Sequence, residues 1–318
     1  MIGLGQIGMG YDYECNDGSF VLTHASAFHS HPAFELVAGV DPDPGKRQMF
    51  TRKFGVVAFA TIDEMYLQCK PEIVALAVPT HAHFDTFRQI LPFKPVSIIC
   101  EKPISHSLKE AQEIVDHAKK SGIALLVNYI RRFDPGVHRL KDMISSGALG
   151  KIYKGVVWYS KGIAHNGSHF INLMEFFFGA AEEIKLVNPG QMTTQDDGEP
   201  DVLIRFGEVE IFFLAGREEC FSIASIDLIG TKGKILCTSG GEVIENWRAE
   251  PDAVYPGYVS LSAIPERIET AMNRYQWNVV DGLSNYLSGI SAELASDGEA
   301  ALKTMNVIHE IRMLMNIL

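Results

Sequence analysis

Six residues near the start of the chain restrict its fold more than anything that follows. Gly3-Leu4-Gly5-Gln6-Ile7-Gly8 is a G-x-G-x-x-G run. With that spacing a strand can turn tightly into a helix, offer open backbone to a pyrophosphate and pack the helix closely on the strand. Alone, such a run is only a turn. Here it opens a regular alternation. Residues 36–40, 73–78, 96–100 and 123–127 are short and continuously apolar, as expected of parallel strands covered on both faces. Helix signals stand between them. Thr61 and Ser107 each precede a glutamate by three residues, the capping-box spacing. Leu108, Ala111, Ile114, Val115 and Ala118 share one helical face, and Gly122 is placed to end that helix. The pattern predicts an α/β Rossmann domain, a doubly wound parallel sheet.

Asp41 ends the second predicted strand, where a carboxylate meets ribose hydroxyls and repels a 2′-phosphate, so NAD is expected over NADP. Lys46 and Arg47 follow closely and read as a solvated helix start, although they would offset that repulsion. Asp41 lies 33 residues after Gly8, against about 20 in the usual unit. The surplus is assigned to an insertion over the polar segment 11–22. Only Met1 and Ile2 precede the loop, too few for a full first strand, so a chain shortened at its start is expected.

The pattern changes near residue 150. Residues 152–159, 202–206, 209–214, 221–229 and 234–238 read as strands, several joined by short turns such as Gly207-Glu208 and Thr231-Lys232-Gly233. Tight turns imply antiparallel pairing. Helices are expected over 168–178 and from about 298, with the Phe176-Phe177-Phe178 run in the core. The second half is therefore expected to be a C-terminal α+β domain with an open, mainly antiparallel sheet. The predicted division is 1–127 for dinucleotide binding and 128–318 for substrate binding and oligomerisation.

Composition excludes several classes. A net charge of −11 without a basic cluster opposes nucleic-acid binding. Five cysteines, none spaced as C-x-x-C, disfavour disulfides and structural zinc and suit a reducing cytoplasm. There is no apolar run of about 18 residues and no signal-peptide pattern, so no membrane partner is expected. His24, His29, His31, His81 and His83 are not spaced as metal ligands. His29 and His31 read as an exposed loop and Thr80 as the cap of a helix start, so no metal is expected.

Two places carry the chemistry. Lys102 follows the third of the apolar strands, between Glu101 and Pro103. Ligands of open α/β sheets bind beyond the carboxyl ends of strands, and a partly desolvated lysine there can orient a substrate hydroxyl and ease its deprotonation. The second place is His165-Asn166-Gly167-Ser168-His169, where an imidazole titrating near neutrality suits removal of a hydroxyl proton.

With Glu101-Lys102-Pro103 at a strand end, the sequence resembles the Gfo/Idh/MocA family of oxidoreductases. Val78-Pro79-Thr80-His81-Ala82-His83, Asn128-Tyr129-Ile130-Arg131-Arg132-Phe133-Asp134-Pro135, Ser146-Gly147-Ala148-Leu149-Gly150-Lys151-Ile152, Ile229-Gly230-Thr231-Lys232-Gly233 and the segment ending at His169 resemble it as well. The resemblance spans nearly the whole chain. It implies hydride transfer between a nicotinamide and a carbinol or ketone carbon of a sugar, polyol or sugar nucleotide. The implied dinucleotide contacts are Gly3, Gly5, Gln6, Ile7, Gly8, Asp41, Pro79, Thr80, His83, Glu101, Lys102 and Arg132. Lys102 and His169 are implied as catalytic, with Lys102, His169, Tyr129, Arg132, Lys161, His165 and Asn166 lining the substrate site. His165 stands where the family pattern has an acid or amide, so it either contacts substrate or orients the base. His169 is expected in the first helical turn, where the helix dipole disfavours imidazolium, and His165 ahead of it. Arg132 and Lys161 would meet an anionic substrate group or serve as ordinary surface or interdomain charge. A homo-oligomer, dimer or tetramer, is expected from a sheet with one uncovered face. The alternative is a non-catalytic dinucleotide-binding sensor of the same fold.

Overall fold

The computed structural model describes residues 1–15, 17–195 and 197–316. It divides into two compact units. The first comprises Met1–Phe133 and Asn273–Leu302, the second Asp134–Met272 and Lys303–Leu318. The single expected boundary at 127/128 lies six residues before the first crossing. It does not contain the return of 273–302 to the first unit.

The first unit contains α1 (His24–Ser30), β1 (Gly39–Val40), α2 (Pro44–Phe54), β2 (Ala58–Phe59), α3 (Ile62–Gln68) and β3 (Ile73–Leu76). These are followed by α4 (His83–Ile90), β4 (Ser97–Cys100), α5 (Leu108–Ser121) and β5 (Ala124–Val127). β3, β4 and β5 pair in parallel, as do β1 and β2. Among the described residues Ile2 joins the two groups, bridging Val40 on one side and Leu76 on the other. The strand order is therefore β2-β1-Ile2-β3-β4-β5, and the glycine loop leaves the sheet where that order reverses. The expected strands are present but shorter at their ends.

Local signals are realised unevenly. Thr61 forms both halves of its capping box with Glu64. Ser107 accepts from the Glu110 amide, but the Glu110 carboxylate accepts from Ser105 Oγ instead of returning to the cap. Gly122 ends α5 in the left-handed conformation with φ 67°. The segment 11–22, apart from Asn16, which lies outside the described residues, is tethered by the buried Asp12 carboxylate. That group accepts from the Leu22 and Thr23 amides and from the Thr23 and Ser26 hydroxyls. α1 therefore starts only at His24, well after the glycine loop. His31 differs from expectation. It is buried, with Nε2 3.3 Å from Asp281 and its ring against Trp277.

The returning segment brings α8 (Tyr275–Leu287) into the first unit. Gln276, Val279, Val280 and Leu283 form a buried stripe at helical spacing. The apolar members join Leu4, Met9, Phe28, Phe50 and Ile99 in one core. Beyond α8, Val127 donates to Ser296 at the edge of β5.

The second unit opens with α6 (Pro135–Ser145), β6 (Ile152–Tyr159) and α7 (Ser168–Phe178). It continues through β7 (Glu183–Asn188), β8 (Asp201–Phe206), β9 (Val209–Ala215), β10 (Ala224–Gly230), β11 (Gly233–Thr238), β12 (Val243–Pro251), β13 (Val259–Leu261) and β14 (Glu266–Ile268). α9 (Gly298–Leu314) begins in the first unit and ends in the second. Among the described residues the sheet has nine strands, ordered β13-β12-β11-β10-β6-β9-β8-β7, with β14 on β12. Only the β6–β9 pair is parallel. Val202, Ile204, Phe206, Ile211, Phe213, Ile226, Leu228 and Ile235 are buried on one face, as period-2 alternation requires. Trp158, Phe212, Leu214 and Ile229 lie on the other, half-buried or exposed. Phe176, Phe177 and Phe178 are half-buried rather than core, because α7 turns its Phe170, Ile171, Leu173 and Met174 inward instead. Among the described residues no helix is long and apolar enough to cross a membrane.

Candidate active site

The three loop glycines have separate physical roles. Gly3 sits at φ +90°, and a Cβ there would meet the Ala77 backbone at 2.6 Å. A Cβ on Gly8 would meet the Gly3 carbonyl at 2.2 Å. Gly5 has nothing within 4 Å of its Cβ position. Two glycines thus permit close packing, while the third faces open space. Gln6–Gly10 form a single π-turn. Met9 and Gly10 donate to Gly5 O, and the Gln6, Ile7 and Gly8 amides donate to no group among the described residues. Open amides beside a bare glycine fit a pyrophosphate.

Asp41 closes this loop from the side. It is buried; Oδ2 accepts from the Leu4 amide and Oδ1 from the Asp43 amide, both at 2.9 Å. Lys46 Nζ lies 3.8 Å from Oδ2, and Arg47 Nη1 donates to the Asp41 and Pro42 carbonyls at 2.8 Å. Lys46 and Arg47 thus bring positive charge beside this buried carboxylate.

At the carboxyl end of β4, Lys102 is half-buried. Glu101 beside it is held by buried donors: His24 Nε2 at 2.7 Å and Asn128 Nδ2 at 2.5 Å, both to Oε1. The Lys102 amide reaches Oε2 at 3.3 Å. Burial alone would raise the Glu101 pKa. The hydrogen bond and electrostatic attraction from His24, the Asn128 hydrogen bond and the positive charge of Lys102 outweigh it and hold the carboxyl below its usual range. Pro79 and Thr80 lead into α4, whose first residue, His83, is fully buried. One ring nitrogen of His83 is 2.9 Å from Val78 O, and the other is 3.1 and 3.2 Å from Pro103 O and Ile104 O. Burial lowers its pKa against these carbonyls. His83 therefore staples the loop that carries Lys102 and presents no nitrogen to a ligand in this structure. Tyr129 and Arg132 are likewise buried, and Arg132 Nη1 donates to Ala295 O.

In the second unit, Lys161 and Gly162, at φ +68° and +83°, turn the chain into a π-turn over Ile163–Gly167 that runs directly into α7. Gly167 has helical angles, so the helical stretch begins near Ile163. His165 occupies its first turn and His169 the next. The expectation that the helix dipole acts on His169 is corrected accordingly. The amides at the true start are also occupied. Asp197 accepts from Ala164 and His165, each at 2.9 Å, and from Gly198 at 3.0 Å. Burial raises the Asp197 pKa, while these amides and the charge of Arg312 oppose the rise. His165 is exposed, Asn166 half-buried and His169 buried. Lys161 is exposed; its amide donates to Glu199 and its ammonium lies 3.3 Å from Glu218. The side chain thus has a surface ion pair of its own.

Asp197 is the residue that sequence reasoning missed. It lies 32 residues from His165 in a loop without a motif, and no spacing rule links the two. The open Gly5, by contrast, was legible from the glycine spacing.

These features define a dinucleotide-binding Rossmann unit joined to an α+β unit. Residues 15–129 match the sequence profile of the Gfo/Idh/MocA oxidoreductase family, with an NAD-binding Rossmann fold. Over this segment the chain is similar to that family. The rhizopine catabolism protein MocA of Rhizobium meliloti is 30% identical over 136 residues, 43% of this chain and 42% of MocA. The D-glucoside 3-dehydrogenase of Escherichia coli is 29% identical over 131 residues, 41% of this chain and 37% of that enzyme. The chain thus spans about two fifths of the length of these two relatives. The WlbA dehydrogenase of Bordetella pertussis, solved with NADH and UDP-GlcNAcA, shares the fold across 99% of this chain and 92% of its own, with a TM-score of 0.77 and 17% identity.

Proposed function

We propose that the protein is an NAD(P)-dependent oxidoreductase acting on a CH–OH group of a sugar, polyol or sugar nucleotide. The observation that carries this reading is the pairing of two features in the first unit. One is a glycine loop with Gly5 open and free amides at the point where strand order reverses. The other is Lys102 at the carboxyl end of β4. The name of the D-glucoside 3-dehydrogenase supports the substrate class. When bound, the nicotinamide supplies the hydride acceptor or donor. Lys102 donates a hydrogen bond to the oxygen of the reacting carbinol and stabilises its developing negative charge. His169 takes the hydroxyl proton in oxidation and returns it in reduction. His165 and Asn166, in the first helical turn, contact the substrate or orient that base.

The buried carboxylate of Asp41 supports NAD over NADP, with Lys46 and Arg47 reducing the margin. The half-covered face bearing Trp158 and Ile229 supports a homo-oligomer, and the composition supports a cytoplasmic setting. The test is nicotinamide absorbance with NAD and NADP against a panel of polyols, aldoses and nucleotide sugars. Turnover sustains the reading. Tight dinucleotide binding without turnover on any member would favour the sensor alternative. In active protein, His169→Asn should lower kcat and remove the acidic limb of the pH–rate profile, whereas His165→Asn should mainly raise KM.

A further inference from the structure

Four side chains from four elements of the first unit meet behind Lys102. Glu101 follows β4, Asn128 follows β5, His24 opens α1 and Gln276 lies on the buried stripe of α8. His24 and Gln276 have no exposed surface, and Asn128 has 1%. On an otherwise apolar stripe, Gln276 occupies a position that burial alone would give to a leucine or methionine. Polar groups in such a place persist when every partner is supplied.

The partners form a closed circuit. Glu101 Oε1 accepts from His24 Nε2 and from Asn128 Nδ2. Asn128 Nδ2 also donates to Gln276 Oε1 at 3.0 Å. That fixes the Gln276 amide, whose Nε2 then faces His24 Nδ1 at 2.9 Å. The partners of each atom point to one arrangement of protons. An ionised Glu101 accepts only, so His24 must carry hydrogen on Nε2. Gln276 offers a donor to Nδ1, so that nitrogen must be bare. The hydrogen-bond geometry thus assigns His24 the Nε2–H tautomer, selected by a residue 252 positions away in sequence. With Oε1 filled, Glu101 turns Oε2 to the Lys102 amide. The other titratable groups acting on Glu101 are Lys102 itself, His83 from α4, Cys100 from β4 and Tyr275 from α8.

We propose that His24 and Gln276 are positioning residues for Lys102: Gln276 selects the tautomer of His24, His24 fixes the Glu101 carboxylate, and Glu101 fixes the backbone from which Lys102 projects. The role attributed to Lys102 rests on the oxidoreductase reading above; the hydrogen-bond circuit does not.

Two measurements separate the two. The first is nitrogen NMR of histidine-labelled, dinucleotide-free protein at neutral pH, with His24 assigned by difference from His24→Gln. A bare Nδ1 and protonated Nε2 are expected. Protonation at Nδ1 overturns the proposal whether or not the protein is an enzyme. The second compares kinetics of His24→Met, His24→Gln and Gln276→Met. His24→Met and Gln276→Met should each lower kcat about tenfold, the scale of one hydrogen bond. Dinucleotide affinity should stay within about twofold in both. His24→Gln keeps an amide donor for Glu101 and cannot be charged, so it should restore kcat to within about threefold of the parent. A His24→Met variant with the parent's kcat, or a His24→Gln variant as slow as His24→Met, overturns the proposal. Absence of turnover in the parent protein would count against the oxidoreductase reading, while the NMR result would still judge the circuit.

Discussion

Two helical starts in this chain have opposite fates. The turn at Gln6–Gly10 leaves the amides of Gln6, Ile7 and Gly8 open beside a glycine with empty space around it. At Ile163–Gly167, the first amides are closed by Asp197, a carboxylate of the same unit. Helix starts concentrate unpaired N–H groups and partial positive charge. An open start is ready for an external anion; a start capped by its own protein is not. The second start instead holds His165, Asn166 and His169 in a fixed frame. One protein thus presents the same backbone feature once open and once closed by its own carboxylate.

Predictions that break or sharpen this contrast run from large effects to small. The largest concerns Lys102, proposed above to act on the reacting hydroxyl. Lys102→Ala should cut turnover by about 100-fold or more, while dinucleotide affinity, measured by calorimetry, stays near the parent value. Comparable losses in both would mean that Lys102 serves binding rather than reaction.

Next is Gly162→Ala at the closed start. Its φ of +83° and a Cβ 2.1 Å from Asp197 Oδ2 leave no relaxed position for a side chain. A loss of about 2–3 kcal/mol is expected in chemical denaturation. An unchanged midpoint would show that Asp197 does not press on this turn as described.

Gly5→Val tests the open start in the opposite sense. The position has φ −81° and no neighbour within 4 Å of Cβ, so stability should be unchanged. The new side chain fills the face proposed for the pyrophosphate, and dinucleotide affinity should fall about tenfold, that is by about 1.4 kcal/mol. Unchanged affinity would place the dinucleotide elsewhere.

The smallest effect belongs to Asp197→Asn, which keeps one acceptor oxygen and should cost about 1 kcal/mol. Its pH signature is more specific. Because burial raises the Asp197 pKa in the folded protein, folding binds that proton more tightly than the unfolded chain does. The associated stability is present below the ordinary aspartate range and lost as pH rises through the raised value. Denaturation across that range should show this slope in the parent and a flatter profile in Asp197→Asn. Parallel profiles would remove Asp197 from the account.

The sequence by itself determined what local spacing can encode. Gly3, Gly5 and Gly8 announce a tight, closely packed turn because the constraint lies within one loop. The capping box at Thr61 and the left-handed stop at Gly122 were readable for the same reason: cap and partner sit within a few residues. Apolar runs gave the parallel strands, and period-2 runs with Gly turns gave the antiparallel sheet. Only the tertiary structure decided the rest. It brought Asp197 to the start of the 163–167 turn and carried α8 back so that Gln276 reaches His24. It also buried Tyr129, Arg132 and His83, which as residue types are equally at home in an exposed pocket. It even moved the helix start from Ser168 to near Ile163, because Gly162 and a distant carboxylate together stabilise an extra turn. Hydrogen bonds between residues far apart in sequence depend on which of many loops supplies the partner, and one-dimensional spacing does not specify that choice.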